Sequence, residues 1–153
     1  ASGTAGKRAG WDWVVLTSKK KMPYLSDPKF LGYKGFIRAD SAEPYFELFY
    51  LLEADVPKRS LRAGKAASTE ENGFVLYYTR QCPFTAKYVP LIEAAAEEKN
   101  IPFKAVLFKT SGEARNAPAP FTTYSLFYNG RFITNEILSE KRFEKILEAE
   151  GLG

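Results

Sequence analysis

The alternation of apolar and polar side chains predicts strands and a helix in the second half of the chain. The apolar run at residues 74–79 predicts a buried strand, and residues 103–108 predict a second one. Over residues 86–100, apolar side chains recur at the i, i+3, i+4, i+7 spacing of an amphipathic helix. They are Tyr88, Leu91, Ile92 and Ala95. Pro83 is tolerated in the first turn of such a helix, whereas Pro90 should kink it or shift its start.

The end of the chain predicts a hairpin followed by a last helix. Residues 122–128 and 131–138 flank Asn129-Gly130, and Asn-Gly is favoured in two-residue hairpin turns because both positions need positive φ. The polar residues 110–120 predict a loop or one short helix, and Ser139 can cap the last helix. The order strand, helix, strand, loop, hairpin, helix predicts a mixed four-stranded sheet. Its first two strands should be parallel and joined by a right-handed crossover.

The first part of the chain is patterned as a strand, a short helix and two further strands. Residues 13–17 form an apolar run, and Asp27-Pro28 starts a helix with Asp27 as its cap. Gly35 can end that helix, and residues 36–38 and 45–52 predict the two further strands. In the last strand two sets of side chains alternate, with Phe46, Leu48 and Tyr50 against Glu47, Phe49 and Leu51.

A stretch without helical or strand periodicity separates these two parts. Residues 54–72 contain Pro57, small side chains and four basic ones, Lys58, Arg59, Arg62 and Lys65. We interpret the stretch as a surface linker and its basic residues as a solubility feature. The predicted organisation is therefore a first unit at 1–53, a linker at 54–72 and a second unit at 73–153.

Composition excludes several kinds of chemistry. The 153 residues include no histidine and one cysteine, so Ser-His-Asp and Cys-His catalysis within the chain, His-containing zinc sites and an intrachain disulfide are excluded. A lone thiol fits a reducing compartment, which predicts a cytoplasmic location. The net charge of +4 is mild, no nucleic-acid module is recognisable, and no apolar run spans a bilayer. We therefore expect neither a nucleic-acid nor a membrane partner.

Cys82 is the main candidate for chemistry. It lies between the first predicted strand of the second unit and the helix that follows, and a helix N-terminus favours the thiolate form of a thiol. One hypothesis is mixed-disulfide exchange with a small thiol such as glutathione or coenzyme A, in which Thr85 hydrogen-bonds the thiolate. Release would need a second, external thiol, because there is no resolving cysteine. The alternative is a small, buried and inert residue.

The order of the second unit and the residues around Cys82 resemble the thioredoxin-like family. Cys82-Pro-Phe-Thr85 is similar to Cys-Pro-x-Cys with threonine in place of the second cysteine. Pro120 stands where that family has a cis-proline beside the thiol, although Pro118 competes for this role and both prolines can be loop stiffeners. Residues 73–147 as a whole resemble the YoaP-like domain, a thioredoxin-like module at the C-terminus of some acetyltransferases. The resemblance implies a site of Cys82, Thr85 and Pro120.

The first unit resembles the C-terminal end of a GNAT acetyltransferase domain. The resemblance rests on Lys29-Phe-Leu-Gly-Tyr-Lys-Gly-Phe36 followed by Glu43-Pro-Tyr-Phe-Glu-Leu48. In that family a helix ending in Gly-Phe leads into the last pair of strands. The implied fold class is α/β, with a partial GNAT-like α+β unit before a thioredoxin-like one.

The resemblance also implies what this chain lacks. GNAT enzymes hold the pyrophosphate of CoA on a Gln/Arg-x-x-Gly-x-Gly/Ala loop, which does not occur in the chain and is expected upstream of Trp11. Many members use a tyrosine as general acid at the position of Leu31, and Tyr33 should point elsewhere. We therefore expect no cofactor in this chain and acetyl-CoA in a longer protein of which it is the tail.

Three functions follow as hypotheses. The first is an acetyl-CoA-dependent acyltransferase on a small-molecule amine, with this chain as a portion that is not competent alone. The second is a monothiol redox or thiol-binding protein acting through Cys82, and the third is an interaction module without chemistry. Strand edges at 13–17 and 45–52 should lack neighbours, which predicts a homodimer or aggregation.

Overall fold

The computed structural model describes residues 13–51 and 67–153. The chain divides into two compact units, Ala1–Lys65 and Ala66–Gly153. The described residues form a mixed α/β structure with a three-stranded sheet, a four-stranded sheet and four helices. Most of the predicted linker, residues 54–66, lies outside the described residues. None of the helices in the described ranges has the length and apolar character needed to cross a membrane.

The first unit is an antiparallel sheet with one short helix. Its elements are β1 (Trp13–Ser18), α1 (Pro28–Tyr33), β2 (Ile37–Ala42) and β3 (Phe46–Leu51). The spatial order is β1-β3-β2, so the last strand in sequence lies in the middle. The strands were predicted from the sequence, but β2 extends well beyond the predicted residues 36–38.

The central position of β3 corrects the expectation that residues 45–52 form a free edge. β3 pairs with β1 on one side and with β2 on the other, with Trp13 opposite Leu51 and Ile37 opposite Tyr50. All of its residues from Phe46 to Tyr50 are buried, including Glu47. The outer edges of this sheet therefore belong to β1 and β2.

Local signals define α1 as predicted. The Asp27 carboxylate accepts a hydrogen bond from the backbone N–H of Lys29 at 2.7 Å, and Pro28 occupies the first turn. Gly35, at φ +84°, follows the helix end, a conformation that glycine adopts without steric cost.

The second unit is a mixed sheet with three helices. Its elements are β4 (Phe74–Tyr78), α2 (Pro83–Glu98), β5 (Phe103–Leu107), α3 (Ser111–Arg115), β6 (Tyr124–Tyr128), β7 (Arg131–Thr134) and α4 (Glu140–Ala149). The strand order is β5-β4-β6-β7. β4 and β5 are parallel, and the other neighbours are antiparallel.

Helices α2 and α4 cover one face of this sheet. The buried cluster joins Phe74 and Leu76 of β4 to side chains of both helices. The buried side of α2 consists of Thr85, Val89, Ile92 and Ala96. The helix starts at Pro83, three residues before the predicted start, and continues through Pro90. The buried side is rotated from the predicted apolar face. The two share Ile92, whereas Leu91 of the predicted face is exposed.

The predicted hairpin turn is present. Asn129 and Gly130 have φ values of 46° and 78°. The Asn129 side chain accepts from the N–H of Gly73 at 2.8 Å. Residues 67–72, which the sequence placed in the linker, lie against this unit, since the N–H of Thr69 donates to the Gly130 carbonyl at 3.1 Å.

Candidate functional site

The candidate residues of the second unit lie beyond the ends of its two central strands, β4 and β6. Tyr78, at the end of β4, is paired with Tyr124, at the start of β6. Cys82 follows Tyr78 by four residues, and Pro120 precedes Tyr124 by four. The structure therefore places Cys82 and Pro120 at the carboxyl end of the parallel pair β4 and β5, the edge where ligands bind in open α/β sheets.

Cys82 occupies the N-cap of α2. Its backbone is extended, at φ −103° and ψ 123°, and Pro83 fills the first helical position. Its side chain makes no capping hydrogen bond, and the thiol is free and half-buried. The sulfur thus lies where the partial positive charge of a sixteen-residue helix acts.

The hydroxyl of Thr85 is hydrogen-bonded to backbone carbonyls. Thr85 is fully buried, and its oxygen lies 2.7 Å from the carbonyl oxygen of Cys82 and 2.9 Å from that of Thr79. A hydroxyl has one proton to donate. The expected hydrogen bond from Thr85 to a thiolate is therefore replaced by bonds that close the loop between β4 and α2.

Thr79 is a residue of this edge that the sequence reasoning missed. Its N–H donates to the carbonyl of Thr123 at 3.1 Å, which ties the loop before Cys82 to the segment that contains Pro120. Its own hydroxyl is buried and has no hydrogen-bond partner in the described part of the chain. A polar residue closing the apolar run 74–79 was the available signal.

Pro120 does not have the conformation that the resemblance implies. In residues 13–51 and 67–153 the one cis peptide bond joins Glu43 and Pro44, so the bonds before Pro118 and Pro120 are trans. Pro120 is half-buried. Its placement supports a role in shaping the loop, and the cis-proline expectation is wrong.

The edge carries one perturbed ionisable group. Burial raises the pKa of the Tyr124 hydroxyl far above its usual value, because the ionised form would lose its hydration. No three acidic or cysteine side chains in the described ranges lie together as metal ligands.

In the first unit, α1 separates Tyr33 from Leu31, the position at which the resemblance implies a general acid. Leu31 is buried at 4% exposure, whereas Tyr33 is 85% exposed. The two side chains therefore lie on different sides of the helix, and Tyr33 does not replace a group at the position of Leu31.

Comparison with known proteins gives two similarities. Residues 102–145 match the model of the YoaP-like family, a stretch that includes Pro120 but begins after Cys82 and Thr85. The chain is also 39% identical over 145 residues to YoaP of Bacillus subtilis (strain 168), described as an uncharacterized N-acetyltransferase. The alignment covers 92% of this chain and 57% of that relative, so the chain spans little more than half of the relative's length. Both similarities support a relationship to an acetyltransferase-related family.

Proposed function

We propose that this chain is the C-terminal part of a GNAT-type N-acyltransferase that transfers an acetyl group from acetyl-CoA to a small-molecule amine. The observation that carries the proposal is the 39% identity to an N-acetyltransferase over 92% of the chain. Catalysis by acetyl transfer requires the nitrogen of the acceptor to attack the thioester carbonyl. The C–S bond then breaks, CoA leaves as a thiolate, and the thiolate takes up the proton that the acceptor nitrogen gives up.

The geometry of the first unit supports the GNAT part of this proposal. α1 is followed by Gly35 and Phe36, and the chain then enters β2 and β3, which pair with each other. This is the arrangement of a helix ending in Gly-Phe before a last pair of strands.

The chain's own residues do not supply the whole reaction. The Gln/Arg-x-x-Gly-x-Gly/Ala loop that holds the pyrophosphate is missing from the sequence. Leu31 is apolar and buried at the position of the general acid. We therefore assign CoA binding to a longer protein and expect this chain to be inactive alone.

For the second unit we propose a thioredoxin-like accessory domain. The support is the order β5-β4-β6-β7, the parallel pair joined through α2, and the location of Cys82 between β4 and α2. The match of residues 102–145 to the YoaP-like family favours the same assignment.

A second candidate function uses Cys82 directly. The free, half-buried thiol at the start of α2 favours it. Its thiolate would attack a small disulfide, form a mixed disulfide and release one thiol, and a second external thiol would then restore Cys82. Incubation with glutathione disulfide followed by mass spectrometry should give one adduct on the folded chain and none on Cys82→Ser. Absence of the adduct on the folded chain, together with its formation in urea, would exclude this function.

The acyltransferase proposal is tested by CoA binding. Calorimetric titration should show binding to a protein extended upstream of Ala1 by its natural sequence and none to the 153-residue chain. The disulfide form of CoA could exchange with Cys82, so the titration is repeated on Cys82→Ala in both proteins to remove this route of capture. Equal binding by the two lengths, or none by either, contradicts the proposal.

A further inference from the structure

One short segment of the described chain carries a net charge as large as that of the whole molecule. The chain carries a net charge of +4, from 22 basic and 18 acidic residues. Residues 17–36 contain five lysines and a single carboxylate, so this segment alone accounts for +4 and the rest of the chain is balanced. The lysines are Lys19, Lys20, Lys21, Lys29 and Lys34, and all five are exposed. We call them, together with the exposed rings of Phe30 and Tyr33, the lysine surface.

A hydrogen bond closes the loop that carries three of these lysines. The Thr17 hydroxyl donates a hydrogen bond to the backbone carbonyl of Ser26, which closes the loop between β1 and α1. Met22 is buried and anchors the middle of the loop. Lys19 lies two residues after Thr17, and Lys29 lies three residues after Ser26. Lys19, Lys20 and Lys21 therefore lie within this closed loop, Lys29 lies in the first turn of α1 just beyond it, and Lys34 follows the other end of α1.

No carboxylate in the described part of the chain neutralises these lysines. The four ion pairs within residues 13–51 and 67–153 use other basic residues. The one carboxylate of the segment, Asp27, is held by the N–H of Lys29 as the cap of α1. The positive charge is therefore available to a partner.

Cation–π contacts with aromatic rings restrain the ammonium groups of Lys20 and Lys34. Phe30 is 54% exposed and Tyr33 is 85% exposed. The Lys34 ammonium lies 5.6 Å from the centroid of each of these rings, and that of Lys20 lies 5.7 Å from the ring of Tyr45. Ammonium groups restrained by cation–π contacts lose less side-chain freedom when an anion binds them.

We propose that the lysine surface docks an acidic segment of a partner protein. Carboxylates of that segment pair with the lysines, and its apolar side chains cover Phe30 and Tyr33, since aromatic side chains are enriched in protein interfaces. A bilayer suits the surface less well, because inserting the rings would carry the Lys34 ammonium toward hydrocarbon. Nucleic-acid bases also suit it less well, because Lys34 occupies ring faces on which bases would stack. The proposal does not depend on acyl transfer.

The test measures fluorescence anisotropy of a labelled peptide of alternating glutamate and leucine against the full chain. The charge-reversal variant is Lys20→Glu/Lys29→Glu/Lys34→Glu. Its matched control is Lys87→Glu/Lys141→Glu/Lys145→Glu, which changes the net charge equally and includes a lysine 5.2 Å from the ring of Tyr88. We expect the first variant to lose affinity about tenfold or more and the control less than about threefold. Tyr33→Ala, which removes an exposed ring, should also weaken binding.

Several results would overturn the proposal. They are equal losses in the two triple variants, equal binding of a glutamine-leucine peptide, no binding of the acidic peptide, and unchanged binding by Tyr33→Ala. Tighter binding of oligothymidylate, or of phosphatidylserine vesicles, than of the acidic peptide would also overturn it, by assigning the surface to nucleic acid or to a membrane. Circular dichroism of every variant shows whether a loss reflects binding or unfolding.

Discussion

Thr85 binds the carbonyl oxygen of Cys82 twice, through its backbone N–H at 3.1 Å and through its hydroxyl at 2.7 Å. The same hydroxyl reaches the carbonyl of Thr79 at 2.9 Å. The one proton of the Thr85 hydroxyl is therefore shared between carbonyl oxygens at the two ends of the loop that carries the candidate thiol.

Replacing Thr85 by valine tests this role. Valine keeps the shape of the side chain, but the Thr79 carbonyl loses its donor in a buried position, which should lower the free energy of unfolding by about 1–3 kcal/mol. Urea unfolding followed by circular dichroism measures the loss. Thr85→Ser keeps the hydroxyl and is the control. An effect of valine no larger than that of serine would show that the hydrogen bonds contribute nothing.

Ionisation of Tyr124 should lower the stability of the fold at alkaline pH. Burial raises the pKa of its hydroxyl in the folded chain, whereas in the unfolded chain it ionises near the ordinary value of 10.0. The stability it contributes is therefore fully present below about pH 10 and is lost as the pH rises above it, by at most about 1.4 kcal/mol per pH unit. Tyr124→Phe should flatten the fall in unfolding free energy between about pH 9 and 11. Tyr33→Phe, at an exposed ring, is the control, and the same slope in both variants would contradict the prediction.

Local signals made much of the second unit predictable. Asn129-Gly130 defines its hairpin, and Pro83 follows Cys82 in the first turn of α2, so the order of elements and the position of the thiol could be read from short stretches. The buried side of α2 could not, because it includes Thr85, whose polar side chain is buried for its hydrogen bonds to carbonyls. Hydrophobic periodicity gives no weight to such a residue.

The central position of β3 could not be predicted for a different reason. It depends on pairing with β1, about thirty residues earlier in the chain, and no short stretch encodes it. Burial of Glu47 follows from the same long-range pairing, and so does the error about a free edge at residues 45–52.

We expect the contributions of Glu47 and Arg38 to the free energy of unfolding to be coupled. Its buried carboxylate accepts a hydrogen bond from the Arg38 guanidinium at 3.1 Å. Arg38→Met removes the partner and leaves a buried charge, at a cost of about 1–3 kcal/mol. Adding Glu47→Gln should restore part of that loss in a double-mutant cycle measured by urea unfolding. Strictly additive single and double variants would mean that the pair is not coupled.

The outer edge of β1 predicts self-association. In the described part of the chain β1 pairs with β3 alone, and Trp13 and Val14 are exposed. Sedimentation velocity should show a dimer at high concentration, and Val14→Lys should shift it to monomer, because charge on an edge strand opposes pairing. Phe84→Lys, at an exposed site on α2, adds the same charge on a helix instead of an outer strand and should leave the dimer unchanged. A monomeric parent chain, or equal effects of the two lysines, would contradict an edge contact.

Adding a methyl group at Gly130 should strongly lower the stability of the fold. Its φ of 78° is unfavourable for alanine, and a Cβ there would overlap the backbone carbonyl oxygen of Thr69. Gly130→Ala should lower the free energy of unfolding by at least about 1–2 kcal/mol, because the overlapping atom belongs to the backbone. Relief of the overlap requires breaking the hydrogen bond from the Thr69 N–H to the Gly130 carbonyl.

Gly112→Ala is the matched control, since a Cβ inside α3 meets nothing closer than the Thr110 hydroxyl at 3.8 Å. It should be neutral or stabilising by up to about 1 kcal/mol, because alanine favours helix over glycine. Urea unfolding of the two variants, read by circular dichroism, decides the matter, and a Gly130→Ala chain as stable as the parent would show that residues 67–72 do not hold the hairpin.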